Sequence, residues 1–268
     1  MIKNIGTGRC SCKGTKCDCA YRGIGRYGYG DVGGSSAAES VFLPTLWIEA
    51  RNLGVAYADG NRISLAVDLS THKQDLQQAT AGNQPLYKYN SGFPYIDFDD
   101  ANRRISRSFA GSQHITDFIG LNAGTVMFTI NHYDNTQPTT PYNWNAADSS
   151  NRFMSHCSYS DNNIYVDWGN ILGGGRVSFA EPAGWHTGFH LVEYNRNGNG
   201  FTGIIDGVEL YNNAAAFSDA IDDTTTQVFG LGNVAGFGFR TSAIMFWDKS
   251  LTASQQSSVR DYLNSFKP

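Results

Sequence analysis

The chain has 268 residues, a formal net charge of −4 and 41% hydrophobic side chains, so it can bury a sizeable core but carries no global basic footprint. Nucleic-acid binding is therefore disfavoured as its main task. No apolar run approaches the ~20 residues that span a bilayer, and the opening Met1-Ile2-Lys3-Asn4-Ile5-Gly6 lacks the apolar centre of a secretory signal.

Residues 1–40 differ from the rest. Gly, Ser, Arg, Tyr and Cys dominate, no period of 2 or 3.6 persists, and the run Tyr21–Gly30 followed by Asp31–Ser36 has too little apolar surface to fold alone. The segment reads as an extended docking arm that orders against a neighbouring subunit, with Arg and Tyr as its anchors. Within it, Cys10, Cys12, Cys17 and Cys19 follow a C-x-C-x4-C-x-C spacing. Four thiolates suit one tetrahedral Zn²⁺, and Lys13 and Lys16 offset part of their charge. Disulfides or free thiols are the alternatives, because C-x-C is not the usual C-x2-C pair.

From Val41 the pattern is that of a folded domain. Leu46-Trp47-Ile48-Glu49-Ala50 is a short apolar element expected to pack Trp47 inside, and Asp59-Gly60-Asn61 is a turn. Ile63–Leu69 reads as a strand, and Asp75–Gln84 as a polar loop. Phe93–Asp100 reads as a half-buried strand with Ile96 and Phe98 set against Asp97 and Asp99. Thr125–Ile130 is the cleanest strand by alternation. A long loop is expected from His132 to about Asn151, and loops of that length in a compact domain are often functional. Ile164–Trp168, Arg176–Phe179, Gln227–Leu231 and Phe237–Trp247 add strands. Phe189–Tyr194 and Phe201–Ile205 form a hairpin around Asn195–Gly200, and Asp206-Gly207 turns into a further strand. Thr252-Ala253-Ser254-Gln255 has capping-box form, and Val259, Tyr262, Leu263 and Phe266 share one helical face. Cys157 reads as a buried small hydrophobe.

Taken in order, several of these words resemble the concanavalin A-like lectin/glucanase superfamily in its laminin-G-like branch. They are Leu46–Ala50, Asp68-Leu69-Ser70 running to Gln78–Pro85, Phe93–Asp100, Gly184-Trp185-His186, Ile205-Asp206-Gly207, and Ala243–Asp248 leading into the terminal helix. The resemblance covers about residues 41–268. It implies an all-β fold, a two-sheet antiparallel jelly-roll sandwich with a C-terminal helix, and leaves the N-terminal arm outside.

The chemistry in the sequence is sparse. Retaining glucanases of the superfamily need two carboxylates ~5–5.5 Å apart, in the pattern E-x-D-x-x-E, and no such word occurs; Asp97 and Asp99 lack the glutamates. A glycoside hydrolase is thus the weakest reading, and the expectation is a non-enzyme. His186 and His190 are read as structural. The resemblance allows calcium at loop carboxylates, with Asp99, Asp100 and Asp161 as candidates, although solvated turn acids are the favoured reading of these residues. Tyr133, Tyr142 and Trp144 in the long loop are candidates to stack on sugar rings, or to pin the loop to its own core or to a neighbour.

Two functional readings follow. One is a structural component of a large assembly, a bacteriophage virion protein such as a capsid decoration, head fibre or tail subunit, assembled in the host cytoplasm and attached to neighbouring subunits through residues 1–40. The other is a carbohydrate-binding module for cell-surface glycans. The two are compatible.

Overall fold

The computed structural model describes residues 11–13, 16–18, 43–99, 103–108, 114–133, 139–145, 150–221, 228–232 and 238–267. The chain divides into two units, residues 1–42 and 43–268. In the first, β1 (Ser11–Lys13) and β2 (Lys16–Asp18) pair antiparallel, with Cys12 opposite Cys17 in register. Cys10 and Cys19 lie outside the described residues, as does most of the arm.

The second unit runs β3 (Leu46–Glu49), α1 (Ala50–Leu53), β4 (Leu65–Ala66), β5 (Leu76–Gln77), β6 (Leu86–Asn90), β7 (Phe93–Phe98), β8 (Arg104–Ser108) and β9 (Ala123–His132). There follow β10 (Tyr142–Asn145), β11 (Asn151–His156), β12 (Asn163–Asn170), β13 (Arg176–Ala180), β14 (His190–Asn197), β15 (Gly200–Ile205) and β16 (Val208–Asn213). The last elements are β17 (Val228–Gly232), β18 (Phe239–Thr241), β19 (Ala243–Trp247) and α2 (Ala253–Asn264). They form an eight-stranded sheet, β13-β12-β11-β10-β17-β8-β5-β4, and a nine-stranded sheet, β16-β15-β14-β9-β18-β7-β6, in which β19 joins β3 to β9. The pairings are antiparallel. The fold is the expected all-β sandwich.

Alternation builds the core. In β9, Val126, Phe128 and Ile130 point into the apolar cluster that the two sheets share. Phe128 meets Tyr142 of the other sheet edge-on at 6.0 Å, and Phe229 meets Phe246 at 5.5 Å. Such edge-to-face pairs add to simple area burial.

Four local expectations change. Tyr142 and Trp144 are not in a loop: they belong to β10 and are fully buried. Tyr142-Asn143-Trp144-Asn145 alternates aromatic and amide side chains, so both rings enter the sandwich while Asn143 faces the other way, its amide donating to the Gly232 carbonyl at 2.9 Å. Trp47 is half-buried on the face opposite Leu46 and Ile48, covered by Tyr262 of α2 at 5.9 Å. Ile63–Leu69 yields only the two-residue β4, and the polar stretch after it contains β5. The β14–β15 turn is two residues, Gly198-Asn199, not six. Asn195 and Arg196 remain in the ladder because the sandwich uses their side chains: Asn195 accepts from Thr125, and buried Arg196 donates to the carbonyls of Trp168 and Asp219.

α2 begins where the sequence puts it. Thr252 Oγ1 accepts from the Gln255 amide while Gln255 Oε1 accepts from Thr252 N–H. Val259 and Leu263 are buried, Arg260 makes a two-pronged bond to buried Glu193 at 2.5 and 2.8 Å, and Tyr262 donates to Glu49 at 2.7 Å. Among the described residues, no helix is long and apolar enough to cross a membrane.

Candidate functional site

One cleft lies on the outer face of the nine-stranded sheet. Its floor starts at the β6–β7 hairpin, closed by Ser91 and Gly92 with φ of 50° and 95°. This mirror-image turn matches the twist of the flanking strands, and Gly92 takes the conformation most side chains resist. The hairpin sets Asn90 opposite Phe93 and Lys88 opposite Tyr95. Because Ile96 and Phe98 point to the core, Phe93, Tyr95 and Asp97 point outward. Arg240 of β18 pairs with Asp97 on one side and Asn131 of β9 on the other. The three form a polar row across the sheet.

The wall is the segment before β14. Its turn is closed by Trp185 N–H to Pro182 O at 3.2 Å and by Thr187 N–H to Gly184 O at 2.9 Å. Trp185 is buried, and its indole N–H donates to the Cys157 carbonyl at 2.5 Å, which pins the segment to the sandwich. Gly188, at φ 82°, then turns the chain so that Phe189 faces Tyr95 with ring centroids 6.0 Å apart. Asn90, Phe93, Tyr95, Asn131, Gly188, Phe189 and Arg240 enclose a cleft of about 280 Å³. Three aromatic rings, two amides and one guanidinium offer stacking faces together with donors and acceptors.

Beside it lies a partly buried electrostatic knot. Tyr133, 42% exposed, donates its hydroxyl to Asp97 Oδ1 at 2.5 Å. The Arg240 guanidinium stands 4.2 Å over the Tyr133 ring and 5.7 Å from the Tyr95 ring. Burial raises the Asp97 pKa above the ordinary carboxylate value, against the opposing pull of Tyr133 and Arg240. Burial and the bond to Asp97 raise the Tyr133 pKa likewise. Burial works against the charge of Arg240, but Tyr133 and Asp97 outweigh it.

Of the aromatic residues expected to meet a ligand, only Tyr133 is accessible. Tyr142 and Trp144 are core residues and present no face to solvent. Phe93, Tyr95, Phe189 and Arg240 were not singled out by the sequence. A signal existed in Arg240, a lone cation inside an otherwise apolar and glycine-rich strand stretch, and in Tyr95, which shares its strand face with Asp97.

Other candidates resolve differently. Asp99 is ion-paired with Arg103, Asp161 accepts from the Tyr165 hydroxyl at 2.5 Å, and Asp100 lies outside the described residues. Among the described residues, no group of three His, Cys, Asp or Glu side chains converges as metal ligands. His186 Nε2 bonds Glu181 at 2.9 Å and His190 Nδ1 bonds Asp206 at 2.6 Å. Asp206 also accepts from Leu191 N–H and Lys267; although burial opposes it, these bonds hold its pKa well below the usual carboxylate range. Both histidines thus brace the segment that forms the cleft wall. A larger groove of about 820 Å³ lies on the eight-stranded sheet, lined by Ser64, Asp75, Gln77, Gln78, Gln84, Ser106 and Arg107 with Leu65 and Ala79. Among the described residues it has no aromatic lining.

No protein-family model and no curated protein matches the chain. Solved structures do. The binding domain of botulinum neurotoxin serotype G superposes with a TM-score of 0.57 at 10% identity, over 83% of this chain and 51% of that one. The serotype D ligand-binding domain, solved with N-acetylneuraminic acid, gives 0.57 at 12% identity over 85% and 53%. Domain 4 of AbnA, a GH43 extracellular arabinanase from Geobacillus stearothermophilus solved with arabinotriose, gives 0.57 at 14% identity over 81% and 98%. The chain spans about half the length of the neurotoxin binding domains it matches. What is shared is the β-sandwich fold.

Proposed function

We propose that residues 43–268 form a non-catalytic saccharide-binding module whose site is the cleft between the β6–β7 hairpin and Phe189. The observation that carries this reading is the cleft itself: Phe93, Tyr95 and Phe189 flank amides and a guanidinium in about 280 Å³. Sugar rings present an apolar face to an aromatic ring and hydroxyls to polar groups at its rim, which is the combination found here. Two sandwiches of the same fold solved with sugars, one with N-acetylneuraminic acid and one with arabinotriose, support it. The non-catalytic part rests on Asp97, a carboxylate beside the cleft-lining residue Arg240, which is buried and engaged by Tyr133.

The test is a glycan array probed with the full chain beside Tyr95→Ala and Phe189→Ala variants of matched thermal stability. The reading expects a restricted set of saccharides bound by the parent and lost by both variants. Binding that survives both substitutions, or no saccharide bound by a folded parent, overturns it.

The composition of residues 1–40 supports a second, compatible reading, in which the arm fixes the module to neighbouring subunits of a larger assembly such as a phage virion. Zinc at Cys10, Cys12, Cys17 and Cys19 belongs to that reading, and the register of Cys12 opposite Cys17 is in keeping with it. Removing residues 1–42 is expected to leave saccharide binding intact and abolish co-assembly; loss of bound zinc on Cys12→Ser would mark the metal. Co-assembly unchanged by the truncation contradicts it.

A further inference from the structure

The cleft has a polarity that a neutral sugar does not use. Among its described lining residues Arg240 alone is charged, and the other polar groups are the amides of Asn90 and Asn131. The guanidinium is held in place on two sides, by the Tyr133 ring at 4.2 Å and the Tyr95 ring at 5.7 Å. Its cross-strand neighbour Asp97 would be the obvious counter-ion. Yet Asp97 Oδ1 is taken by the Tyr133 hydroxyl, and among the described residues no carboxylate oxygen comes within ion-pairing distance of Arg240. Arg240 Nε is buried without a hydrogen-bond partner. Lys88, opposite Tyr95, and Asp59, bonded to the Tyr89 amide, are flanking charges of opposite sign, and Asp97 and Asp99 act on the same cluster.

A guanidinium that is stacked in place, partly buried and without a direct carboxylate ion pair is a prepared anion receptor. Its planar donors match the two oxygens of a carboxylate. The guanidinium is already ordered before a ligand arrives, so a ligand carboxylate gains its bonds at little further ordering cost. Tyr95 and Phe189, beside the guanidinium, give the ring that carries such a carboxylate a face to lie on.

We infer that the ligand of this cleft is an acidic saccharide, its carboxylate on Arg240 and its ring against Tyr95 and Phe189. The inference rests on the saccharide-binding reading and narrows it to sugars with a carboxylate, of the uronic or the sialic acid kind.

The experiment titrates the full chain with matched pairs: sialyllactose against lactose, and trigalacturonic acid against its methyl ester. One acidic member is expected to bind at least about tenfold more tightly than its neutral partner, the scale of a charge-assisted hydrogen bond. Which pair shows the preference identifies the sugar class. The preference should shrink as salt rises, disappear in Arg240→Gln, and persist in part in Arg240→Lys, which keeps the charge without the fork. A Tyr95→Ala variant serves as the control for the cleft. Equal affinity within both pairs, with binding still lost in Tyr95→Ala, overturns the acidic inference and leaves the saccharide reading standing. No binding to any of the four overturns the inference and, together with an empty glycan array, the reading beneath it. Should Arg240→Gln fail to fold, the salt dependence and the Arg240→Lys variant decide alone.

Discussion

The guanidinium of Arg240 lies 4.2 Å over the ring of Tyr133, and the hydroxyl of that same ring donates to Asp97, the residue paired with Arg240 across the strands. The tyrosine thereby serves both charges, taking the carboxylate with its edge and the cation with its face. The two charges stay electrostatically coupled without a direct ion pair, and the arginine lines the cleft.

Removing the hydroxyl in Tyr133→Phe leaves a buried carboxylate one donor short while keeping the ring under Arg240. A loss of about 1–2 kcal/mol in unfolding free energy is expected, at the lower end for bonds to charged groups because Tyr133 is partly exposed. The Asp97 pKa should rise further, since that bond pulls it down. Urea denaturation and carboxylate titration by NMR check the two halves, and an unchanged Asp97 titration would show that the hydrogen bond is not there.

A pH dependence follows from His132. Its ring is 5% exposed, packs 4.8 Å from Trp185 and 5.5 Å from His186, and neither ring nitrogen has a hydrogen-bond partner. Burial first, then the neighbouring His186 and His190, push its pKa down to about 3 from an ordinary 6.5. Between those values the unfolded chain holds a proton that the folded one refuses, so stability is complete above about 6.5 and falls as pH drops toward 3. The raised pKa of Asp97 and of Glu49, both driven by burial, works in the opposite sense, making acid relatively less damaging at those sites. The difference between parent and His132→Phe isolates the histidine. The variant should melt at or above the parent temperature at pH 7 and lose less stability between pH 6.5 and 4. Parallel melting curves across that range would contradict the assignment.

The terminal helix is fastened by Arg260. Glu193 is 1% exposed in β14, and Arg260 supplies both of its hydrogen bonds. Arg260→Met leaves that charge buried and unpaired, a change expected to cost about 3 kcal/mol, while Glu193→Gln with Arg260→Met recovers part of it. Thr252→Ala, which removes the cap, should cost about 1 kcal/mol. Chemical denaturation of the three variants orders them, and a larger loss from Thr252→Ala than from Arg260→Met would show that the fastening lies elsewhere.

Where residues alternate cleanly, the sequence was enough. Val126, Phe128 and Ile130 identify β9, and Thr252 with Gln255 identifies the start of α2. The span 132–151 failed because Pro138, Pro141 and the asparagines suggest a loop, and they outweighed a period-2 signal only four residues long in Tyr142–Asn145. Two aromatic residues assigned to ligand contact are therefore core. The cleft was hidden for a different reason. Tyr95 and Arg240 are 145 residues apart in sequence and neighbours only through β7–β18 pairing, while Phe189 reaches them from a third segment. No local pattern encodes that meeting. Only Tyr133 was both foreseen as a contact candidate and found exposed beside the cleft.

Stability and binding should separate by residue. Trp144→Ala empties a fully buried indole site and should cost about 3–5 kcal/mol, whereas Tyr95→Ala removes a half-buried ring on the outer face and should leave the melting temperature nearly unchanged.

The most direct test of the saccharide cleft is an isothermal titration of the full chain and its Tyr95→Ala variant with the best-binding saccharide from the array, beside thermal melts of both proteins. A loss of at least about tenfold in affinity at matched stability is the predicted result, in the range of one aromatic contact. Unchanged affinity in a folded Tyr95→Ala protein would contradict the placement of the site.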